Sequence, residues 1–253
     1  MSAALEDPSF RIAALIPTYD NPQTIRAVVD AVRVHVADVL VVDDGSGPLG
    51  RAACEALVRD GVARVVHRAT NGGKGAAVKT GLQTLHELGF THAFQIDADG
   101  QHAIADMPRF VAAAAVHPEA LVLGSPEFDE SAPKSRLVGR QITRFWTNVE
   151  TLGPVISDPM CGFRVYPLAR ALAASARGNA MDFDPEIAVG VAWAGAPVLN
   201  LKTRVRYLTE AQGGVSHFRL WRDNVLISWM HTRMVLLLLV RLILRARPRR
   251  IEP

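Results

Sequence analysis

The chain has 253 residues, 49% of them hydrophobic and 21% charged, with a formal net charge of +3. That is long enough to bury a sizeable core, and too ordinary for a disordered, collagenous or low-complexity protein. Cys54 and Cys161 are the only cysteines, too few for a disulfide framework and without the paired spacing of a zinc site, so a reducing, cytoplasmic setting is expected. The first eleven residues lack the basic start and apolar run of a secretory leader, and folding is expected to begin close to Phe10.

Short β-branched runs at 11–16, 39–42, 63–66, 93–96 and 120–123 read as buried strands. Between them, 24–34, 50–59, 75–88 and 105–116 carry apolar residues at the three- and four-residue spacing of helices. Such alternation predicts an α/β fold with a mostly parallel central sheet and helices on both faces. Beyond Pro126 the pattern predicts a Pro- and charge-rich loop to residue 136, a helix to about 152, a strand at 163–166, a helix at 185–194 and a strand at 198–207. One domain over 10–220 is expected, followed by an apolar and basic segment, 221–253, forming an amphipathic helix.

Polar residues collect where the strands end. The first strand runs into Pro17, Thr18, Tyr19 and Asp20, the second into Asp43, Asp44, Gly45 and Ser46, and the fourth into Asp97, Ala98, Asp99 and Gly100. Ligands bind at the carboxyl edge of an open α/β sheet, where loops and helix N-termini converge, so these segments are expected to line one crevice.

Asp97 and Asp99 stand two apart, a spacing that sends both carboxylates to one side of an extended chain. So placed, they repel unless a cation lies between them. Oxygen ligands of this kind suit Mg²⁺ or Mn²⁺, which also bridge the oxygens of a diphosphate; a solvated turn is the other reading of the triplet. Gln101 and His102 follow immediately as further candidate ligands. In Asp43-Asp44-Gly45-Ser46 one aspartate fits a turn and helix cap, and Asp44, further out along the loop, is expected to face a base or ribose.

Asn71-Gly72-Gly73-Lys74-Gly75 puts a lysine at a helix N-terminus, an arrangement that attracts anions. It is not a P-loop, because Arg68 stands where that motif needs glycine and Gly75 where it needs Ser or Thr. Pro17 and Thr18 in place of a Gly-x-Gly turn argue against a dinucleotide fold. Cys161 lacks a neighbouring histidine to activate it and reads as a small buried thiol. Asp184 and Glu186 open a helix, where acidic residues suit the dipole; a general-base role is the alternative.

In combination these residues resemble glycosyltransferase family 2, and within it the dolichol- or polyprenyl-phosphate sugar synthases and related bacterial enzymes. Five elements carry the resemblance over residues 11–217: Ile16-Pro17-Thr18-Tyr19, Val41-Val42-Asp43-Asp44-Gly45-Ser46, 71–75, Asp97-Ala98-Asp99-Gly100-Gln101-His102, and 158–164. It implies a GT-A fold, a nucleotide-diphosphate sugar donor (UDP or GDP), Mg²⁺ or Mn²⁺, and inversion at the anomeric carbon. It also implies that Pro17, Tyr19 and Asp44 hold the nucleoside, with Thr18 and Asp20 beside them, while Asp97, Ala98, Asp99 and Gln101 face metal and diphosphate.

The family's later Gly-x-Ser-Lys element is Gly214-Val215-Ser216-His217 here. Histidine replaces the lysine, so His217 is expected to bind phosphate when protonated or metal when neutral, with Ser216 beside it. Ala211 and Pro126 also stand where the family carries basic residues; Arg136, Arg140, Arg206 and Arg219 are the nearby substitutes.

The stretch 225–244 is apolar but interrupted by His231, Arg233 and Arg241, and its clean run of 234–240 is shorter than the roughly 20 residues of a bilayer span. With Arg245, Arg247, Arg249 and Arg250 behind it, an anionic membrane surface is the expected partner, and nucleic acid is not. The resulting expectation is a metal-dependent inverting glycosyltransferase, peripheral at the inner face of the membrane, with a lipid-linked acceptor. Asp99, Asp184 and Glu186 are the catalytic candidates and Lys74 the phosphate-facing cation. A nucleotidyltransferase and a non-catalytic nucleotide-sugar-binding module are the alternatives.

Overall fold

The computed structural model describes residues 10–128, 134–205 and 219–245. Seven strands form one sheet in the order β3-β2-β1-β4-β6-β5-β7: β1 (Ile12–Thr18), β2 (Val39–Asp43), β3 (Arg64–His67), β4 (His92–Gln95), β5 (Leu121–Phe128), β6 (Arg164–Pro167) and β7 (Val198–Val205). Every pairing is parallel except those of β6, which runs antiparallel to both β4 and β5.

Helices cover both faces, as the alternation predicts. One face is closed by α1 (Ile25–Arg33), α2 (Pro48–Arg59) and α4 (Met107–Val116), the other by α3 (Lys74–Glu87), α6 (Leu168–Ala173) and α7 (Phe183–Trp193). In α1 the buried residues Ile25, Val28, Val29 and Val32 form the apolar stripe that sets its inward face. α5 (Lys134–Glu150) and α8 (Leu220–Arg245) pack on each other and on α7.

Two expectations need correction, at β5 and at α8, and between them comes a helix, α6, that was not expected. Strand β5 continues through Pro126 to Phe128, where a loop was expected, because beyond Leu123 it pairs only with β7 and a proline is tolerated at a half-open position. Pro17 is the same case, paired with β2 beyond the end of the β4 ladder. Helix α6 is six residues long, too short to show a helical period in the sequence. Helix α8 is long and apolar enough to cross a membrane by length and composition, with a mean hydropathy of 1.6 over Trp221–Leu244.

The antiparallel β6 has a consequence for the site. Its first residue, Arg164, is in register with Gln95 at the carboxyl end of β4 and with Leu123 of β5. The turn that precedes it, 158–163, is therefore delivered to the carboxyl edge of the sheet, where the acidic segments lie.

Candidate active site

The carboxyl edge opens into one cleft of about 1670 Å³. Of the residues expected at a ligand, Pro17, Thr18, Tyr19, Asp44, Lys74, Asp97, Ala98, Asp99, Gln101 and Asp184 line it, as does His102. Asp20 and Glu186 are not among the lining residues. Ser216, His217 and Arg206 lie outside the described residues, as do Arg247, Arg249 and Arg250.

Asp20 joins two loops: its Oδ1 accepts the Gly47 N–H at 2.9 Å, and its own N–H donates to Ser46 Oγ at 2.9 Å. The adjacent aspartates after β2 divide their work. Asp43 holds the turn, accepting from the Ser46 N–H at 3.0 Å and lying 2.7 Å from His67 Nδ1. Asp44 reaches the cleft, where both its oxygens accept from the Gly72 and Gly73 N–H groups, the latter at 2.7 Å, and Arg68 donates to Oδ1. The glycine loop before α3 thus grips a carboxylate of the protein itself. Gly73 suits that bend: its φ is +95°, and a Cβ there would lie only 2.4 Å from the Asn179 carbonyl oxygen.

Asp97 and Asp99 stand just past the end of β4, Asp97 in irregular chain and Asp99 in the turn that follows, and both line the cleft. The Lys74 ammonium donates to Asp97 Oδ2 at 3.0 Å and forms ion pairs at 2.7 Å with Asp97 Oδ1 and 2.9 Å with Asp184 Oδ2. The Oδ1 contact is ionic without hydrogen-bond alignment, and among the described residues that buried oxygen has no hydrogen bond. Burial would raise the pKa of Asp97, but Lys74 and His102 outweigh it and hold the carboxyl well below the usual carboxylate range. Burial, and then the charge of Asp97, push the Asp99 carboxyl above its ordinary value.

This electrostatic asymmetry fits a divalent cation. An ionised carboxylate, paired with Lys74 but with one oxygen that accepts no hydrogen bond among the described residues, stands beside a second carboxylate that it repels, and Gln101 is adjacent. Among the described residues no group of three or more His, Cys, Asp or Glu is gathered for a metal. The protein therefore offers two carboxylates, and a diphosphate with water would complete the shell, the usual arrangement for Mg²⁺ at phosphates.

A buried polar chain supports Asp184 from behind. Tyr166 Oη donates to Gln95 Oε1 at 3.0 Å, and Gln95 Nε2 donates to Asp184 Oδ1 at 3.4 Å. Arg164 is fully buried and donates to the carbonyls of Cys161, Asp184 and Pro159. It locks the turn before β6 to the start of α7. Asp158 in that turn takes two hydrogen bonds from Arg140 Nη1, at 2.7 and 2.6 Å. Burial pushes the Cys161 thiol up to about 12, so it stays protonated at neutral pH. Glu186 is held by the N–H groups of Arg177 and Gly178 at 3.0 and 2.8 Å and by Arg233 at 2.8 Å.

Gly162 is a residue whose role sequence reasoning missed. A Cβ there would lie 2.5 Å from Asp97 Oδ2 and 2.7 Å from Oδ1. Since the obstacle is a side-chain end, Gly162→Ala is expected to fold but to displace the Asp97 carboxylate. Turnover should fall about 100-fold, the scale of a 1 Å misplacement, with little change in melting temperature. Steady-state rates beside a thermal melt check this, and wild-type turnover would refute it.

Comparison with known proteins agrees with this geometry. The model of Glycosyl transferase family 2 matches residues 13–169. Undecaprenyl-phosphate mannosyltransferase of Micrococcus luteus is 31% identical over 163 residues, 62% of this chain and 66% of that protein. Polyprenol monophosphomannose synthase of Mycolicibacterium smegmatis is 32% identical over 170 residues, 63% of this chain and 62% of that protein. The aligned region thus spans less than two thirds of either relative. Glucosyl-3-phosphoglycerate synthase of Mycobacterium tuberculosis, solved with Mn²⁺ and UDP-glucose, superposes with a TM-score of 0.61 at 16% identity, covering 92% of this chain and 79% of that one. The shared fold is the expected GT-A arrangement, and the match over most of the sheet, with the acidic cleft at its carboxyl edge, shows that this chain belongs to glycosyl transferase family 2.

Proposed function

We propose that the protein is a metal-dependent inverting glycosyltransferase that moves a sugar from a UDP- or GDP-sugar to a polyprenyl-phosphate acceptor at the inner face of a membrane. The observation that carries this reading is a single cleft with two unlike halves. At the sheet edge it presents Asp44, Asp97 and Asp99; at the other end α5 and α8 wall it with Ile142, Trp146, Ile227, Val235 and Leu236.

In this reading Pro17, Tyr19 and Asp44 seat the nucleoside, and Asp97 and Asp99 hold the cation. When bound, Mg²⁺ or Mn²⁺ neutralises the diphosphate as it leaves. Lys74 keeps Asp97 ionised and fixes its direction. Asp184 is already engaged by Lys74 and Gln95, and Glu186 is turned to Arg177, Gly178 and Arg233. Both carboxylates are thus already held by partners within the protein. That favours a phosphate acceptor, which arrives ionised and attacks the anomeric carbon directly, with inversion. With the Cys161 thiol protonated and buried, a covalent sugar intermediate on it is disfavoured.

The membrane part of the proposal rests on α5 and α8. The inner face of α8 is committed to the protein through Ile227, Met230, His231, Met234 and Leu238, and through the Arg233–Glu186 pair. A helix fastened in this way lies along a bilayer surface and does not cross it. Its outer face exposes Trp221, Val225, Trp229, Val240 and Ile243, and α5 adds Phe145. Four arginines, at 245, 247, 249 and 250, would add about 1 kcal/mol each near anionic lipid.

The test is a transfer assay with a panel of UDP- and GDP-sugars and a short isoprenyl phosphate in anionic or neutral vesicles, using the full chain and one ending at Arg245. Sugar should reach the lipid with inverted configuration only with a divalent cation, and the full chain should co-sediment best with anionic vesicles at low salt. Release of a sugar 1-phosphate, with the nucleotidyl group passing to the acceptor, would indicate a nucleotidyltransferase, and donor binding without turnover a binding module. Equal sedimentation with neutral vesicles, or no effect of truncation, would remove the membrane part.

A further inference from the structure

The α5–α8 end of the cleft holds a polar pair that the donor site does not use. Glu150, the last residue of α5, is fully buried, and its Oε1 lies 2.7 Å from Nδ1 of His231 in α8. Among the described residues, Glu150 Oε2 and His231 Nε2 are both buried without a hydrogen-bond partner. Buried polar atoms are almost always paired, so two orphans in one pair ask for a physical reason. His231 is 4% exposed yet lines the cleft, beside Thr143, Trp146 and Ser228. Its placement is fixed: Met230 and Met234 pack inward on either side of it, and Arg233 pairs with Glu186 of α7.

We propose that His231, oriented by Glu150, binds the phosphate head group of the acceptor. The assignment rests on the polyprenyl-phosphate reading above. A carboxylate at Nδ1 fixes that nitrogen as an N–H and orients the ring, so that Nε2 of the protonated ring would be a donor for an anion. Burial raises the pKa of Glu150 and the His231 hydrogen bond opposes that rise, as for a carboxylate whose charge depends on this one partner. The apolar wall formed by Ile142, Trp146, Val235 and Leu236 then offers a path for the isoprenyl chain beyond the head group. His231 is thus an acceptor-binding residue, and Glu150 a positioning residue acting through it.

The experiment compares wild type, His231→Ala, His231→Gln and Glu150→Gln with a short isoprenyl phosphate and the preferred nucleotide sugar. His231→Ala should raise the KM for the isoprenyl phosphate about 10- to 100-fold, the loss expected for a hydrogen bond to a charged group, and leave the donor KM unchanged. His231→Gln, which keeps an N–H donor, should recover part of that loss. Glu150→Gln preserves the size of the side chain and should raise the acceptor KM several-fold, again without a change in donor KM. If His231→Ala fails to fold, the two glutamine variants carry the comparison. Wild-type acceptor KM values in the folded variants, or equal losses for donor and acceptor, would overturn the assignment. A wild-type protein that neither binds nor uses isoprenyl phosphate would instead overturn the acceptor reading, and this assignment with it.

Discussion

Asp99→Asn is expected to lower turnover by about 100- to 1000-fold while the protein remains folded. A divalent cation at a leaving diphosphate supplies several kcal/mol of charge stabilisation, and each 1.36 kcal/mol is tenfold in rate. Asp99 lines the cleft, its Oδ1 accepting the Gln101 N–H at 3.0 Å, and in the proposed reading it is one of the two carboxylates that hold the cation. Calorimetry should show the matching nucleotide diphosphate binding weakly to wild type in EDTA and tightly with Mn²⁺ or Mg²⁺, with little metal response in the variant. The effect on stability should have the opposite sign. A carboxyl held above its ordinary pKa of 3.8 loses stability as pH rises through that shifted value, so its ionised form opposes folding at neutral pH. Removing the charge should leave the metal-free melting temperature at pH 7 equal or higher. Equal nucleotide affinity with and without metal in wild type would rule out the two-aspartate site.

Lys74→Met should produce the largest loss of stability. The ammonium stands between Asp97 and Asp184, and removing one partner from a buried ion pair costs about 3 to 5 kcal/mol because the remaining charge is left uncompensated. For a domain of this size that is a drop of about 6 to 20 °C in melting temperature. The pH dependence follows from the two shifts. Asp97 is depressed below its ordinary 3.8, so its contribution is present above that value and disappears as pH falls through the folded-state pKa. Lys74, against the opposing effect of burial, is raised above its ordinary 10.5 by Asp184 and Asp97, so its contribution is complete below that value and disappears as pH rises past the shifted one. The gap between wild type and variant should therefore be widest from about pH 5 to pH 10 and should narrow in acid. Thermal melts across that range check it; matching melts at pH 7 would show that the pair contributes nothing.

Strand and helix positions were legible in the sequence because hydrophobic period is a local property: 39–42 became β2 at Val39–Asp43, and 75–88 became α3 at Lys74–Glu87. The clustering of Asp44, Lys74, Asp97 and Asp99 was legible for a related reason. Parallel strands joined by helical crossovers must bring their carboxyl ends to one edge, so residues far apart in sequence meet there. The direction of β6 was not legible, since a four-residue buried strand has the same pattern in either orientation, and its antiparallel insertion is what brings Gly162 against Asp97.

Partner choice was also beyond the sequence. Lys74 at a helix N-terminus suggested a phosphate contact, whereas the folded protein sets it between Asp97 and Asp184. Asp184 and Glu186 looked equivalent, but two residues on a helix stand about 200° apart around its axis. One therefore meets the cleft and the other meets Arg177, Gly178 and Arg233. Glu150 and His231 are 81 positions apart with no motif joining them, and only the packing of α5 on α8 makes them a pair. Composition and period determined which segments fold and where their polar ends gather. Tertiary packing alone decided which charge faces which, because burial forces each buried ionic group to take the partner that the neighbouring element presents.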